Sequence, residues 1–271
     1  MISKKSILIA ISFLLISLNS GAYSQQKIEN FYLSNLKEDG SRDWEVNGDE
    51  ALIGDEYIDI ENMIANYYLE NDTILITSDK ARMNKNNMDV LLRDNVHIEN
   101  EEGATLVTDS LNWQRGKNRI ETKDKVKTTK DAMQITAKGL SADTQFKTAD
   151  FEEDVEVTFA DMESGDVTTA TCSGPLEIEY NNGKAVFNKD VVITNPQGKM
   201  YSDKATLFFD TEAKVLIKVV SEGNVKIIRD NNVTFSQKAT YLGKEEKIIL
   251  EGKPRIMYFP EEGEGEAKFP F

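Results

Sequence analysis

Apolar and polar residues alternate in short runs along most of the chain. Val96 and Ile98 form one such run, and Val155, Val157 and Phe159 another. Leu176, Ile178 and Tyr180, Leu207 and Phe209, and Val225 and Ile227 repeat the pattern. A period of two puts successive side chains on opposite faces of a strand, so the pattern predicts sheet with one apolar and one wet face. Turn signals separate the runs at Glu102-Gly103, Arg115-Gly116-Lys117-Asn118, Asn181-Asn182-Gly183, Pro196-Gln197-Gly198 and Asp230-Asn231-Asn232. These connections are too short for packed helices, and the fold class expected is all-β. Residues 25–40 alone are ambiguous between an extended and a short helical lead-in.

The runs belong to a repeat. One half of the unit is a short strand led by a polar residue and Val, at Asn95-Val96, Lys125-Val126, Asp154-Val155, Asp190-Val191 and Asn224-Val225. These Val positions are 30, 29, 36 and 34 residues apart, and Pro254-Arg255-Ile256 is a weaker sixth copy. The other half follows Ile/Leu-x-Thr/Ser-Asp, as in Ile76 to Asp79, Leu106 to Asp109 and Met200 to Asp203. Related segments at Ile135 to Lys138, Ala170 to Ser173 and Phe235 to Gln237 lack the Asp. Asp79 to Val96, Asp109 to Val126 and Lys138 to Val155 are each 17 residues. No half-strand buries its apolar face alone, so copies must stack or fold over one another. The result is a trough whose interior is either a filled core or a lipid groove, and periodicity does not separate the two.

Composition adds a compartment. Lys4 and Lys5, the apolar run Ile7 to Leu18, and the small residues Ala22 and Ser24 have the layout of a secretory signal, expected over residues 1–24. This run of twelve residues falls short of the about twenty that span a bilayer, although an uncleaved anchor held by partners is the alternative. The net charge of −15 becomes −17 without Lys4 and Lys5, which argues against nucleic acid or anionic membrane as a surface partner. Residues 261–271 form an acidic tail. The single Cys172 makes no internal disulfide and is expected to be buried.

Catalytic chemistry finds little support. The single His97 stands between Val96 and Ile98 and should face away from both. With one His and one Cys, no zinc or transition-metal site of ordinary composition is expected, and no cofactor. Asp79, Asp109 and Asp203 occupy equivalent repeat positions, which suggests hydrogen bonding at turns or strand ends. Trp44 and Trp113 either line a groove or fill the ends of the trough. The chain is expected not to be an enzyme.

Several segments, in order, resemble the LptC family of lipopolysaccharide export: Trp44 to Ala51, Ile76 to Ala81, Asp94 to Ile98, Leu111 to Gln114 and Arg119 to Lys123. From Ala170 to Tyr258, notably Lys199 to Ala205 and Gly223 to Ile227, the chain is more similar to the related LptA (OstA-like) bridge proteins. The resemblance implies an OstA-like β-jellyroll of V-shaped antiparallel sheets. An LptC-like half over 25–165 and an LptA/OstA-like half over 166–260 would meet where the Val spacing stretches to 36. It also implies a periplasmic location with possible inner-membrane anchoring, and lipopolysaccharide or a similar glycolipid as cargo. An inner-membrane transporter and other jellyroll bridge proteins would be partners, by edge-strand pairing. The groove would then be lined by Val96, Ile98, Leu106, Val126, Ile135, Val155, Val157, Leu176, Ile178, Val191, Ile193, Leu207, Phe209, Val225 and Ile227. Against this stand a structural β-solenoid that bridges proteins without lipid, and a β-helix enzyme that cleaves polysaccharide. The latter's shorter repeat fits poorly.

Overall fold

The computed structural model describes residues 26–259, apart from 71, 145–146, 161–164, 213–214 and 246. The expected signal and acidic tail lie outside the described residues. The strands are β1 (Gln26–Leu36), β2 (Arg42–Ile53), β3 (Tyr57–Tyr68), β4 (Thr73–Asn84), β5 (Val90–Asn100), β6 (Thr105–Gln114), β7 (Arg119–Lys130), β8 (Met133–Asp143) and β9 (Thr148–Ala160). They continue as β10 (Val167–Cys172), β11 (Leu176–Glu179), β12 (Lys184–Asn195), β13 (Gly198–Asp210), β14 (Val215–Arg229), β15 (Asn232–Leu242), β16 (Lys247–Glu251) and β17 (Arg255–Tyr258). The ambiguous lead-in is thus strand β1.

From β1–β2 to β14–β15 consecutive strands pair antiparallel, except β10 with β11. Two positions hold a broken strand. β10 and β11 both lie between β9 and β12, and β16 and β17 both lie on β15. The sheet is therefore one up-and-down meander. Among the described residues its outer edges are β1 at one end and β16 with β17 at the other.

The meander is folded lengthwise. Ladder register slips in mid-strand, between Arg93 and Val96 on β5, Thr122 and Lys125 on β7, Asn188 and Val191 on β12, and Glu222 and Val225 on β14. Left-handed residues sit at most of these points: Asp94 and Asn95, Lys189 and Asp190, Gly223 and Asn224. Each slip is a β-bulge that bends its strand, and Asn and Asp tolerate the conformation better than most residues. Aligned across the sheet, the bulges divide every long strand into halves that belong to two facing walls. The contact of Tyr67 on β3 with Trp113 on β6 proves the folding. Tyr67 is level with Ile74 and Asn100, whereas Trp113 is level with Val90. Ten residues of flat strand separate Asn100 from Val90, roughly 33 Å, yet the two rings are 5.6 Å apart.

Expected half-strands led by Asn-Val or Asp-Val are thus the second halves of strands about twice as long. The leading polar residue marks the bend and not a strand start. Asp79 and Asp203 also stand at the bend, where they accept hydrogen bonds from Asn95 Nδ2 at 2.7 Å and Asn224 Nδ2 at 2.9 Å. Their role is to hold neighbouring bulges together in mid-strand. The 36-residue interval has two local causes: the connection from Ala160 to Val167, and the Ser173-Gly174-Pro175 break between β10 and β11. Val155 still pairs with Cys172 across it.

Equivalent 3₁₀ turns at Arg115–Lys117 and Tyr180–Asn182 end in the left-handed residues Asn118 (φ 53°) and Gly183 (φ 55°). Their backbones match, but a Cβ at residue 183 would collide with the carbonyl oxygen of Phe209. Gly183→Asn is therefore expected to cost about 3 kcal/mol or more, by forcing β13 off β12. Asn118→Gly should change stability by about 1 kcal/mol or less. Urea unfolding followed by circular dichroism measures both, and equal costs would contradict the packing account.

Candidate functional site

The interior between the walls is the feature that the repeat builds, and its lining comes in levels. At the bend, Val96, Val126, Val155, Val191 and Val225 are at most 1 % exposed. The walls are nearest there, so each Val meets a small residue on the adjoining strand: Thr108, Ala137, Cys172, Ser202 and Ser236. This explains the Thr/Ser before the repeat's Asp: it is the small inward residue beside the bend. On the facing wall a row of Leu92, Leu111, Leu140, Phe151, Leu176 and Phe187 is equally buried.

Farther from the bend, two apolar rows run across the strands. One wall carries Ile76, Ile98, Leu106, Thr128, Ile135, Val157, Ala170, Ile193, Met200 and Ile227, each directly opposite the next. The other carries Ile58, Met83, Val90, Trp113, Ile120, Ala142, Ala149, Ile178, Ala185, Leu207 and Val219. Both rows cross from the first half of the chain to the second without interruption.

Of the fifteen groove residues expected from the sequence, fourteen lie on these inward levels and Phe209, beyond Leu207 on β13, packs against the same core; the fifteen fall at two depths. Val96, Leu106, Val126, Ile135, Val155, Leu176, Val191 and Val225 are buried, whereas Ile98, Val157, Ile178, Ile193, Leu207, Phe209 and Ile227 are half-buried. The half-buried set marks the mouth. Tyr67 was missed, because its place opposite Trp113 depends on the bend and leaves no local sequence signal. Where Tyr67 meets Trp113, Ile74, Ile76 and Ile98 of one wall and Leu92, Leu111 and Ile120 of the other line a half-open apolar cavity of about 50 Å³.

Among the described residues no charged side chain is buried, and the buried polar ones are small hydroxyls such as those of Thr108, Ser202 and Ser236. His97 pairs with Thr77 and Val107 on the outer face, opposite to Val96 as expected. Cys172 is a buried free thiol that donates to the Gly174 carbonyl, and burial pushes its pKa up. On the outer face near β1, hydroxyls of Tyr68 and Tyr32 and the amide of Asn66 donate to the Glu45 carboxylate and hold its pKa down. Among the described residues no group of three His, Cys, Asp or Glu side chains is arranged to hold a metal, and no helix is long and apolar enough to cross a membrane.

The ends of the sheet differ. β16 and β17 are almost wholly exposed, including Ile248, Ile249, Ile256, Met257 and Tyr258. Acid is not spread evenly either: residues 184–259 carry thirteen Lys and Arg against nine Asp and Glu, in a chain of net charge −15. The last strands are therefore rich in exposed apolar residues and, among the described residues, unpaired on one side.

A family model described as lipopolysaccharide-assembly, LptC-related matches residues 7–160, more than half of the chain. No curated protein matches the chain.

Proposed function

The chain belongs to the LptC-related family of lipopolysaccharide-assembly proteins, and from that premise we propose that it is a periplasmic carrier that passes lipopolysaccharide from an inner-membrane export transporter toward the outer membrane. The observation that carries this reading is the pair of continuous rows along the interior, apolar at every position but Thr128. Acyl chains lie between the walls on Ile98, Val157, Ile178, Ile193, Leu207, Phe209 and Ile227, above the closed floor of Val96, Val126, Val155, Val191 and Val225. The sugar and phosphate headgroup stays in solvent at the mouth. Burial at roughly 25 cal/mol per Å² of apolar area makes several acyl chains ample to drive loading, so unloading is powered by the transporter upstream. No chemical step is assigned to the protein.

Residues 25–165 act as the LptC-like half and 166–260 as an LptA/OstA-like half of one path. Export uses residues 1–24, either cleaved or kept as an inner-membrane anchor. The free edges pair main chain to main chain with neighbouring jellyroll proteins.

The closed floor favours one other reading, a structural β-solenoid that bridges proteins with a dry interior. Native mass spectrometry of the protein after incubation with purified lipopolysaccharide separates the two. The carrier reading expects a protein–lipopolysaccharide complex, and the dry solenoid expects only the lipid-free mass.

A further inference from the structure

From the outer face of the last strands we infer that this end of the sheet docks on a bilayer of anionic phospholipid, independently of what fills the interior. Register sets Val192, Tyr201, Lys226, Phe235 and Arg255 directly opposite one another on β12, β13, β14, β15 and β17. Two residues farther from the bend, Lys199, Ile228, Val233 and Met257 form a second row. Each stands one residue from an inward position such as Ile193, Met200 or Ile227, so both rows face away from the interior. Lys226 lies over the Tyr201 ring at 5.6 Å and Arg255 over the Phe235 ring at 6.0 Å. Among the described residues none of Lys199, Lys226 and Arg255 is in an ion pair. The two rows hold no carboxylate. Asp203 stands at the bend, held by Asn224, and Asp230 in the turn after β14. The same outer face on β5 and β9 carries Glu99 and Glu156 instead.

The mixture selects the partner. Unpaired cations call for an anionic surface. Rings and aliphatic side chains among them call for one that is apolar just beneath its charge, and a phospholipid surface has that layering. Lys and Arg reach the phosphates with their stems along apolar surface, aromatic rings sit at headgroup level, and exposed Met257 reaches the acyl boundary. An acidic protein surface would answer the charge and leave Ile228, Val233 and Met257 unused. The chain's net charge of −15 opposes binding to an anionic bilayer only on average. At physiological ionic strength charges are screened beyond about 8 Å, so the patch acts locally and docks the chain in one orientation.

The test is flotation of the full chain with vesicles of phosphatidylglycerol and phosphatidylcholine, or of phosphatidylcholine alone. Each cation is expected to contribute about fivefold, so the wild type should prefer the anionic vesicles by up to about a hundredfold. Arg255→Gln, at an exposed position, should lower that preference about fivefold, and combining it with Lys199→Gln and Lys226→Gln should erase it. Lys80→Gln, Lys123→Gln and Lys138→Gln together make the same change in net charge at ion-paired lysines elsewhere and should leave it intact. Orientation is read with an environment-sensitive dye on Met257→Cys, Cys172 being buried. Its emission should shift to the blue on anionic vesicles, and that of the same dye on Val107→Cys should not. Equal binding to the two kinds of vesicle, a preference that survives the triple change at the patch, or an equal shift at both dyes overturns the inference. A preference that appears only when Glu261, Glu262, Glu264 and Glu266 are all changed to Gln assigns the patch to the chain's own acidic residues and overturns it as well.

Discussion

Val126→Asp is expected to abolish the cooperative fold. Val126 has no exposed surface and lies between Thr108 and Ala137 at the bend, where the facing walls are closest. A carboxylate there has no counter-charge and no water, and burying it costs well over the several kcal/mol by which domains are stable. Protonation only replaces the charge with an unsatisfied hydroxyl. The variant should lose its β-sheet circular dichroism and its thermal transition. Thr129→Asp, on the same strand at a half-buried position, should keep both. A folded Val126→Asp protein would mean that the bend is open to solvent, against the burial described above.

The second large effect is on loading and leaves the fold intact. Ile193 sits half-buried on the inward row, directly opposite Met200, and its neighbour Val192 pairs with Tyr201 on the opposite face. Ile193→Glu puts a carboxylate where acyl chains are proposed to lie. Because the site is part-exposed, the empty protein can keep that charge hydrated, so its melting temperature should move by only a few degrees. Loading must strip the charge or divert the chain. A cost of about 1.4–3 kcal/mol corresponds to roughly ten- to a hundredfold weaker lipopolysaccharide binding. Val192→Glu, one residue away, should leave binding unchanged. Equal loss in both variants, measured by fluorescence titration with labelled lipopolysaccharide, would remove the interior from the account.

What the sequence discloses of this architecture depends on the range of the interactions. Alternation at Val155, Val157 and Phe159 is enforced residue by residue, because a slip of one would expose the apolar set. The all-β class and the inward rows were therefore legible. So were the turns, since Asn118 and Gly183 end them in left-handed conformations set within a few residues, whereas the clash with Phe209 that makes Gly183 irreplaceable comes from a distant strand. The bend was visible only as punctuation: Asp94-Asn95 and Lys189-Asp190 look like strand starts, because a bulge and a turn call on the same residue types. Asp79 looks like a strand-end residue for the same reason, until its acceptor role towards Asn95 is seen. The pairing of Tyr67 with Trp113 was beyond reach, since it arises only after β3 and β6 have folded over each other. Depth was hidden as well. Val96 and Ile98 are equivalent in periodicity, yet one belongs to the floor and the other to the mouth.

The central claim is that lipid travels between the walls and not over them. Photo-crosslinking residues placed singly at Ile98, Val157, Ile193 and Leu207, and at the outer-face positions Val107, Lys127, Val192 and Lys226, test it most directly in cells that export lipopolysaccharide. The account predicts lipopolysaccharide adducts at the four inward positions and none at the four outward ones. Adducts spread equally over both faces, or confined to the outer one, would contradict it.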